Sequence, residues 1–248
     1  MQKISTLKIL NIIAFIGVLV VNYLSNALPI NGIRTGDISD KYFNEFAPAG
    51  VTFTIWGIIY LLLIGTIIWQ LKLSGASIDK LNKWFLANSA FNAAWLFAWH
   101  YELFILTLVL MIGILTTLIQ LNKIIAEELP DNLPRKWLPK SAFGVYLGWI
   151  CIATIANFTT FLVSVNFNKF GLSDTFWTGA VIGIGSITAA MLVVRYRNVF
   201  IGLAVIWALA GIILRQNQLH DHFTAISWAA VTYGLLVVVS LFYARRRS

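Results

Sequence analysis

Charge is what this sequence has least of. Only 11% of its 248 residues are Asp, Glu, Lys or Arg, where a soluble domain carries about 25%. None of them lies well inside the long apolar runs. That counts against a proton- or ion-coupled transporter, which ordinarily needs an intramembrane ionisable group. It also removes the mid-helix lysine on which a retinal Schiff base would form. No phosphate-binding loop ending in Gly-Lys is present, so the chain is not itself an ATPase. A single cysteine, Cys151, excludes an intrachain disulfide and leaves the redox compartment unread. No Ser-His-Asp, Cys-His or paired-carboxylate set falls within the runs, which argues against hydrolytic or acid–base catalysis. His220-Asp221-His222 is the one metal-like cluster. Two histidines two apart in a loop read better as a polar turn than as a metal site.

What the sequence has in place of charge is apolar length. Hydrophobic residues make up 59% of the chain, and runs of membrane-spanning length recur from end to end, as in a multi-pass membrane protein. The expected fold is all-α, a polytopic helix bundle of about eight transmembrane helices near residues 7–28, 50–71, 81–99, 103–121, 143–165, 175–194, 199–214 and 223–244. The charges support that count. Fourteen of the 18 basic residues fall on one side, in the N-terminus (Lys3, Lys8), alternate loops and Arg245-Arg246-Arg247; Arg34, Lys41, Lys169 and Arg215 fall on the other. The positive-inside rule then places both termini in the cytoplasm, and the expected location is a plasma or inner membrane. The net charge of +8 belongs to these loops and is not a nucleic-acid signature.

The first run also mimics a signal peptide, with Ser25-Asn26-Ala27 as a small-residue cleavage site. Its length and its own asparagine stripe favour a retained helix. The loop at residues 29–48 is long, and long loops are functional or disordered. Its Tyr42, Phe43 and Phe46 suit either a lid or a solvated loop with interfacial aromatics. Pro130, Pro134 and Pro139 interrupt helix in the loop at 122–140. Gly65, Gly144 and Gly148 read as packing positions, and Gly179, Gly183 and Gly185 allow close helix approach.

Polar and aromatic residues recur on single helical faces. Asn11, Phe15, Val18 and Asn22 share one stripe, Phe53, Trp56 and Tyr60 a second, and Asn88, Asn92, Trp95 and Trp99 a third. Tyr146, Trp149, Ala153 and Asn157 form a fourth. Lipid tails offer an amide no partner, so such stripes face protein or a cavity. The asparagines serve equally as interhelical links. Trp69, Trp84, Trp137 and Trp177 lie near span ends and suit interfacial anchoring, whereas Trp56, Trp95 and Trp149 lie deeper.

Three motifs on these helices resemble those of the TspO/MBR family, the translocator or tryptophan-rich sensory proteins. A-P-A-G-V-T-F-T-I-W-G-I-I-Y matches at Pro48, Val51, Trp56 and Tyr60. N-A-A-W-L-F-A-W matches at Asn92 and Trp95, with Trp99 in the aromatic region that follows. V-Y-L-G-W-I-C-I-A-T-I-A-N matches at Tyr146, Leu147, Trp149, Ala153 and Asn157. Ala47 and Val145 stand where the family has proline, and Gly50 where it has tryptophan, which loosens the transfer of the exact ligand. Residues 158–170 hold no tyrosine followed by a basic residue, so the sterol-recognition pattern of animal members is not evident.

The resemblance implies a five-helix TspO/MBR-like membrane domain at residues 1–166, with three additional transmembrane helices at 167–248. It implies an integral membrane binding protein or sensor. The ligand would be a tetrapyrrole (porphyrin or haem) or a similar hydrophobic aromatic molecule, held by Trp56, Tyr60, Asn92, Trp95, Trp99, Tyr146, Trp149, Ala153 and Asn157. The alternative is a transporter or permease subunit for a hydrophobic small molecule. No cofactor is required, and no metal is expected. Membrane lipid and a hydrophobic ligand are the expected partners, nucleic acid is not, and a homodimer is open because relatives often pair. Light-dependent porphyrin oxidation through tryptophan also stays open, so catalysis is left undecided.

Overall fold

Nine α-helices and three short 3-10 turns make up the secondary structure of the described residues, with no strand among them. The computed structural model describes residues 5–28, 30–220 and 223–246. Of the residues named above, Lys3, Asp221, His222 and Arg247 lie outside that set. The helices are α1 (Thr6–Ala27), α2 (Thr35–Lys41), α3 (Ile55–Leu71), α4 (Ala76–His100), α5 (Phe104–Glu127), α6 (Trp137–Ser164), α7 (Asp174–Tyr196), α8 (Val199–Leu219) and α9 (Ala225–Arg246). A 3-10 turn, Gly50–Thr54, leads into α3.

Among the described residues, seven segments are long and apolar enough to cross a membrane: Thr6–Gly32, Gly50–Leu71, Phe104–Glu127, Trp137–Ser164, Asp174–Tyr196, Val199–Leu219 and Ala225–Arg246. The eighth expected span is α4. Its 25 residues reach roughly 37 Å at 1.5 Å per residue, enough in length. Its composition is polar because Asn82, Asn88, Ser89 and Asn92 are buried along it and Lys80 and Lys83 sit near its start. A helix whose polar face is buried in protein need not be apolar all round.

The ends differ from the expected ones for local reasons. Pro139 does not stop α6, which begins at Trp137. The proline occupies the first turn, where no intrahelical acceptor waits for its missing N–H. The α8 helix runs on to Leu219, so Arg215 and Gln216 are helical rather than loop residues. The loop after α1 is not wholly irregular, since Thr35–Lys41 forms α2.

The chain divides into two compact units. The first comprises Met1–Ile38 and Ile58–Phe143; the second comprises Ser39–Gly57 and Gly144–Ser248. In the first unit α4 packs along both α1 and α5. The very short link between α4 and α5 turns at Glu102, with φ 54°. In the second unit α7, α8 and α9 pack on one another.

Glycines set the closest approaches in the second unit. A Cβ on Gly148 would run into the Ile201 carbonyl, and one on Gly144 would lie 2.6 Å from Asn198 Nδ2. One on Gly183 would meet Tyr233 at 2.8 Å. Asn198 accepts the Phe200 N–H at 3.2 Å and so caps α8, while Arg197 closes α7 in the left-handed region, φ 47°. Residues 44–54 also dock on α8 in this unit. The Ala49 N–H donates to the Gly211 carbonyl at 3.0 Å, and Trp207 Nε1 donates to the Thr52 carbonyl at 2.9 Å. Gln216 Nε2 donates to the Glu45 carboxylate at 2.8 Å.

Candidate ligand-binding site

The first unit carries a polar seam built from the α1 and α4 stripes. Asn11 Nδ2 donates to Asn82 Oδ1 at 2.7 Å and to the Asn82 carbonyl at 3.0 Å, with both residues fully buried. Eleven positions along α1, Asn22 Nδ2 donates to Asn92 Oδ1 at 3.4 Å. One turn before Asn92, Asn88 Nδ2 donates to Thr117 Oγ1 of α5 at 2.8 Å. The seam therefore ties α4 to both neighbours. Asn82 is missing from the sequence-derived stripe because it lies on a neighbouring face of α4, aligned with Phe85 and Ser89 and roughly 80° from Asn92.

At the end of α4 the seam becomes aromatic. Trp95 and Trp99 stack with ring centroids 5.4 Å apart and planes at 23°. Trp99 is buried, and its Nε1 donates to the Thr35 carbonyl at 3.1 Å. Trp95 is only half-buried, yet its Nε1 is out of solvent and has no hydrogen-bond partner among the described residues. Tyr60 stands in this unit too, edge-on to Phe15 of α1 at 6.3 Å. Beside Trp99, His100 is fully buried. Its Nδ1 lies 2.7 Å from the Leu96 carbonyl and its Nε2 3.3 Å from Thr35 Oγ1, and its own carbonyl accepts from Asn31 at 3.0 Å.

The second unit holds the other predicted residues. Trp56 meets Tyr146 edge-to-face at 5.4 Å and 69°, and Phe53 meets Trp149 at 5.4 Å and 83°. Tyr146, Trp149 and Asn157 are buried, and Ala153 is half-buried between them along α6. The nine residues thus fall into two groups. Tyr60, Asn92, Trp95 and Trp99 belong to the first unit, and Trp56, Tyr146, Trp149, Ala153 and Asn157 to the second. No group of three His, Cys, Asp or Glu that could hold a metal occurs among the described residues.

These helices, with stacked and edge-on aromatics along buried asparagines, can be set beside known proteins. The family model described as TSPO-like protein matches residues 8–243. The chain belongs to the TSPO-like protein family. The match runs through α7, α8 and α9 as well as the helices that carry the three motifs. No curated protein and no solved structure matches the chain. Family and apolar helices together make this TSPO-like protein an integral, multi-pass membrane protein.

Proposed function

We propose that this TSPO-like protein is a membrane ligand-binding protein that holds a tetrapyrrole or a similar flat, hydrophobic aromatic ligand. Trp95 carries the reading. Its ring is stacked on Trp99 and partly open, and its N–H is dry and unpartnered. An orphaned buried donor costs about 1–3 kcal/mol, so the position favours a ligand that brings an acceptor together with an aromatic face. Asn92, one turn away, is the orienting amide. Tyr60 is a further proposed contact residue in the first unit, and Trp56, Tyr146, Trp149, Ala153 and Asn157 are proposed ligand contacts within the second unit by itself. The basic loops support an orientation with both termini in the cytoplasm, and the proposed location is a plasma or inner membrane.

The Soret band of protoporphyrin tests the reading. Purified protein in nonionic detergent should red-shift the band saturably, and Trp95→Ala should lose most of the shift. A shift equal to that of empty micelles, or one untouched by Trp95→Ala, contradicts it. Turnover of the pigment into proteoliposomes beyond site stoichiometry would replace binding with transport.

A further inference from the structure

The second unit contains a cavity of about 410 Å³ that none of the nine predicted residues lines. Its size falls within the usual range for small-molecule sites, roughly 300–1,000 Å³. The loop at residues 43–46, the end of α6 and the start of α7 enclose it. Aromatic rings line it: Phe43, Phe46, Phe158, Phe167 and Trp177. Phe46 is buried, while Phe43 and Phe158 are 46% and 43% exposed and stand open.

The wall is held in place by specific bonds. Thr159 Oγ1 donates to Asn44 Oδ1 at 3.3 Å, pinning the loop to α6. Trp177 Nε1 donates to the Lys169 carbonyl at 2.9 Å, and Phe167 stands edge-on to Trp177 at 5.8 Å. Between α6 and α7 the backbone turns through left-handed residues, with φ 52° at Asn166, 57° at Lys169 and 52° at Phe170. A lysine and a phenylalanine enter that region only at a cost, and such strain gathers at ligand-holding segments.

The charges around this aromatic box are not balanced for an anion. Lys169 is paired with Asp174. Arg215, whose guanidinium lies 6.0 Å from the Phe43 ring centroid, is paired with Asp40 at 3.3 Å. Glu45 lines the cavity with the neutral Gln216 as its side-chain partner, and no cation is within ion-pair distance of it among the described residues. A carboxylate without a counter-charge beside several ring faces is the chemistry that binds an organic cation, through Coulomb attraction and cation–π contact.

We propose that this cavity is a second ligand site, taking an organic cation with an apolar or aromatic body. Glu45 faces the charge and Phe43, Phe158 and Trp177 the body. The Lys169–Asp174 pair is an internal competitor, since Lys169 occupies the second carboxylate.

Equilibrium dialysis of the full-length protein in nonionic micelles tests this, with tetraphenylphosphonium and its anionic isostere tetraphenylborate as probes and empty micelles as the blank. The phosphonium should bind saturably at one site per chain and the borate should not. Glu45→Gln, which keeps the side chain's shape, should weaken phosphonium binding roughly 5-fold. Phe158→Leu, at an exposed position, should weaken it severalfold and covers the case in which Glu45→Gln folds poorly. Lys169→Gln should tighten it, a gain that a structural role for Lys169 would not produce. Equal binding of both ions, or phosphonium affinity unchanged in Glu45→Gln and Lys169→Gln, overturns the proposal. The porphyrin Soret shift should survive Glu45→Gln, so the two ligand readings stand or fall separately.

Discussion

At the scale of single residues, Trp95 and the asparagines make opposite predictions. Trp95→Phe keeps the stack on Trp99 but deletes the orphaned N–H. Thermal unfolding of the ligand-free variant should therefore begin higher than for the parent. Its porphyrin affinity should fall by roughly 2- to 10-fold, the value of one net hydrogen bond. A variant that loses stability and binds unchanged would show that the N–H serves the fold instead. Asn11 and Asn82 act only on stability. A double-mutant cycle with Asn11→Leu and Asn82→Leu should give a coupling of about 0.6 kcal/mol and no more than about 1.7, the mean and the maximum found for polar contacts between membrane helices. A coupling near zero would mean that the 2.7 Å contact contributes nothing. Positions such as Asn22, Asn88 and Asn92 were legible in the sequence because a 3.6-residue period aligns them. Their partners were not. Whether an amide reaches Thr117 or a ligand depends on which helix lies opposite, and spacing along one helix carries no such information.

At the scale of elements, two glycines discriminate, Gly148 of α6 and Gly57 of α3. Gly148→Ala drives a methyl group onto the Ile201 carbonyl of α8, whereas Gly57→Ala meets nothing within 4 Å. The first should cost about 1–3 kcal/mol, as overpacking does, and the second should be neutral or slightly stabilising. Unfolding midpoints in mixed micelles would show it, and equal midpoints would mean that α6 and α8 do not pack at this glycine. A pH effect belongs to α4 and α5. The Glu128 carboxyl is held below its ordinary range, first by the hydrogen bond from Lys80, 2.9 Å away. The pair's contribution is thus present at neutral pH and persists into the ordinary carboxylate range. It is lost only as pH falls through the lowered value. Lys80→Ala should move the Glu128 midpoint, followed by carboxyl NMR, upward to the ordinary range. The spans were legible as elements because membrane length and apolarity coincide. The reach of α6 back to Trp137 and of α8 on to Leu219 was not. Pro139 and Arg215 look like breakers until one sees that a first-turn proline loses no bond and that Arg215 pairs with Asp40.

At the scale of the whole molecule, the family match extends across both units, and the charge pattern assigns the loops to two sides. Single-cysteine labelling tests that topology cleanly, because the one native thiol, Cys151, is buried. A cysteine at Ser77 should react from the cytoplasmic side and one at Ser173 from the opposite side; labelling of both from one side would refute the expected orientation. If this protein holds a flat aromatic ligand against its tryptophans, protoporphyrin should quench their fluorescence by binding. Quenching should saturate at micromolar ligand near one per chain. Affinity should weaken in Trp95→Phe and Asn92→Ala once absorbance and the lost fluorophore are corrected for. Quenching that rises linearly without saturating, and is the same in both variants, would mean partitioning into detergent and would contradict binding through the tryptophans.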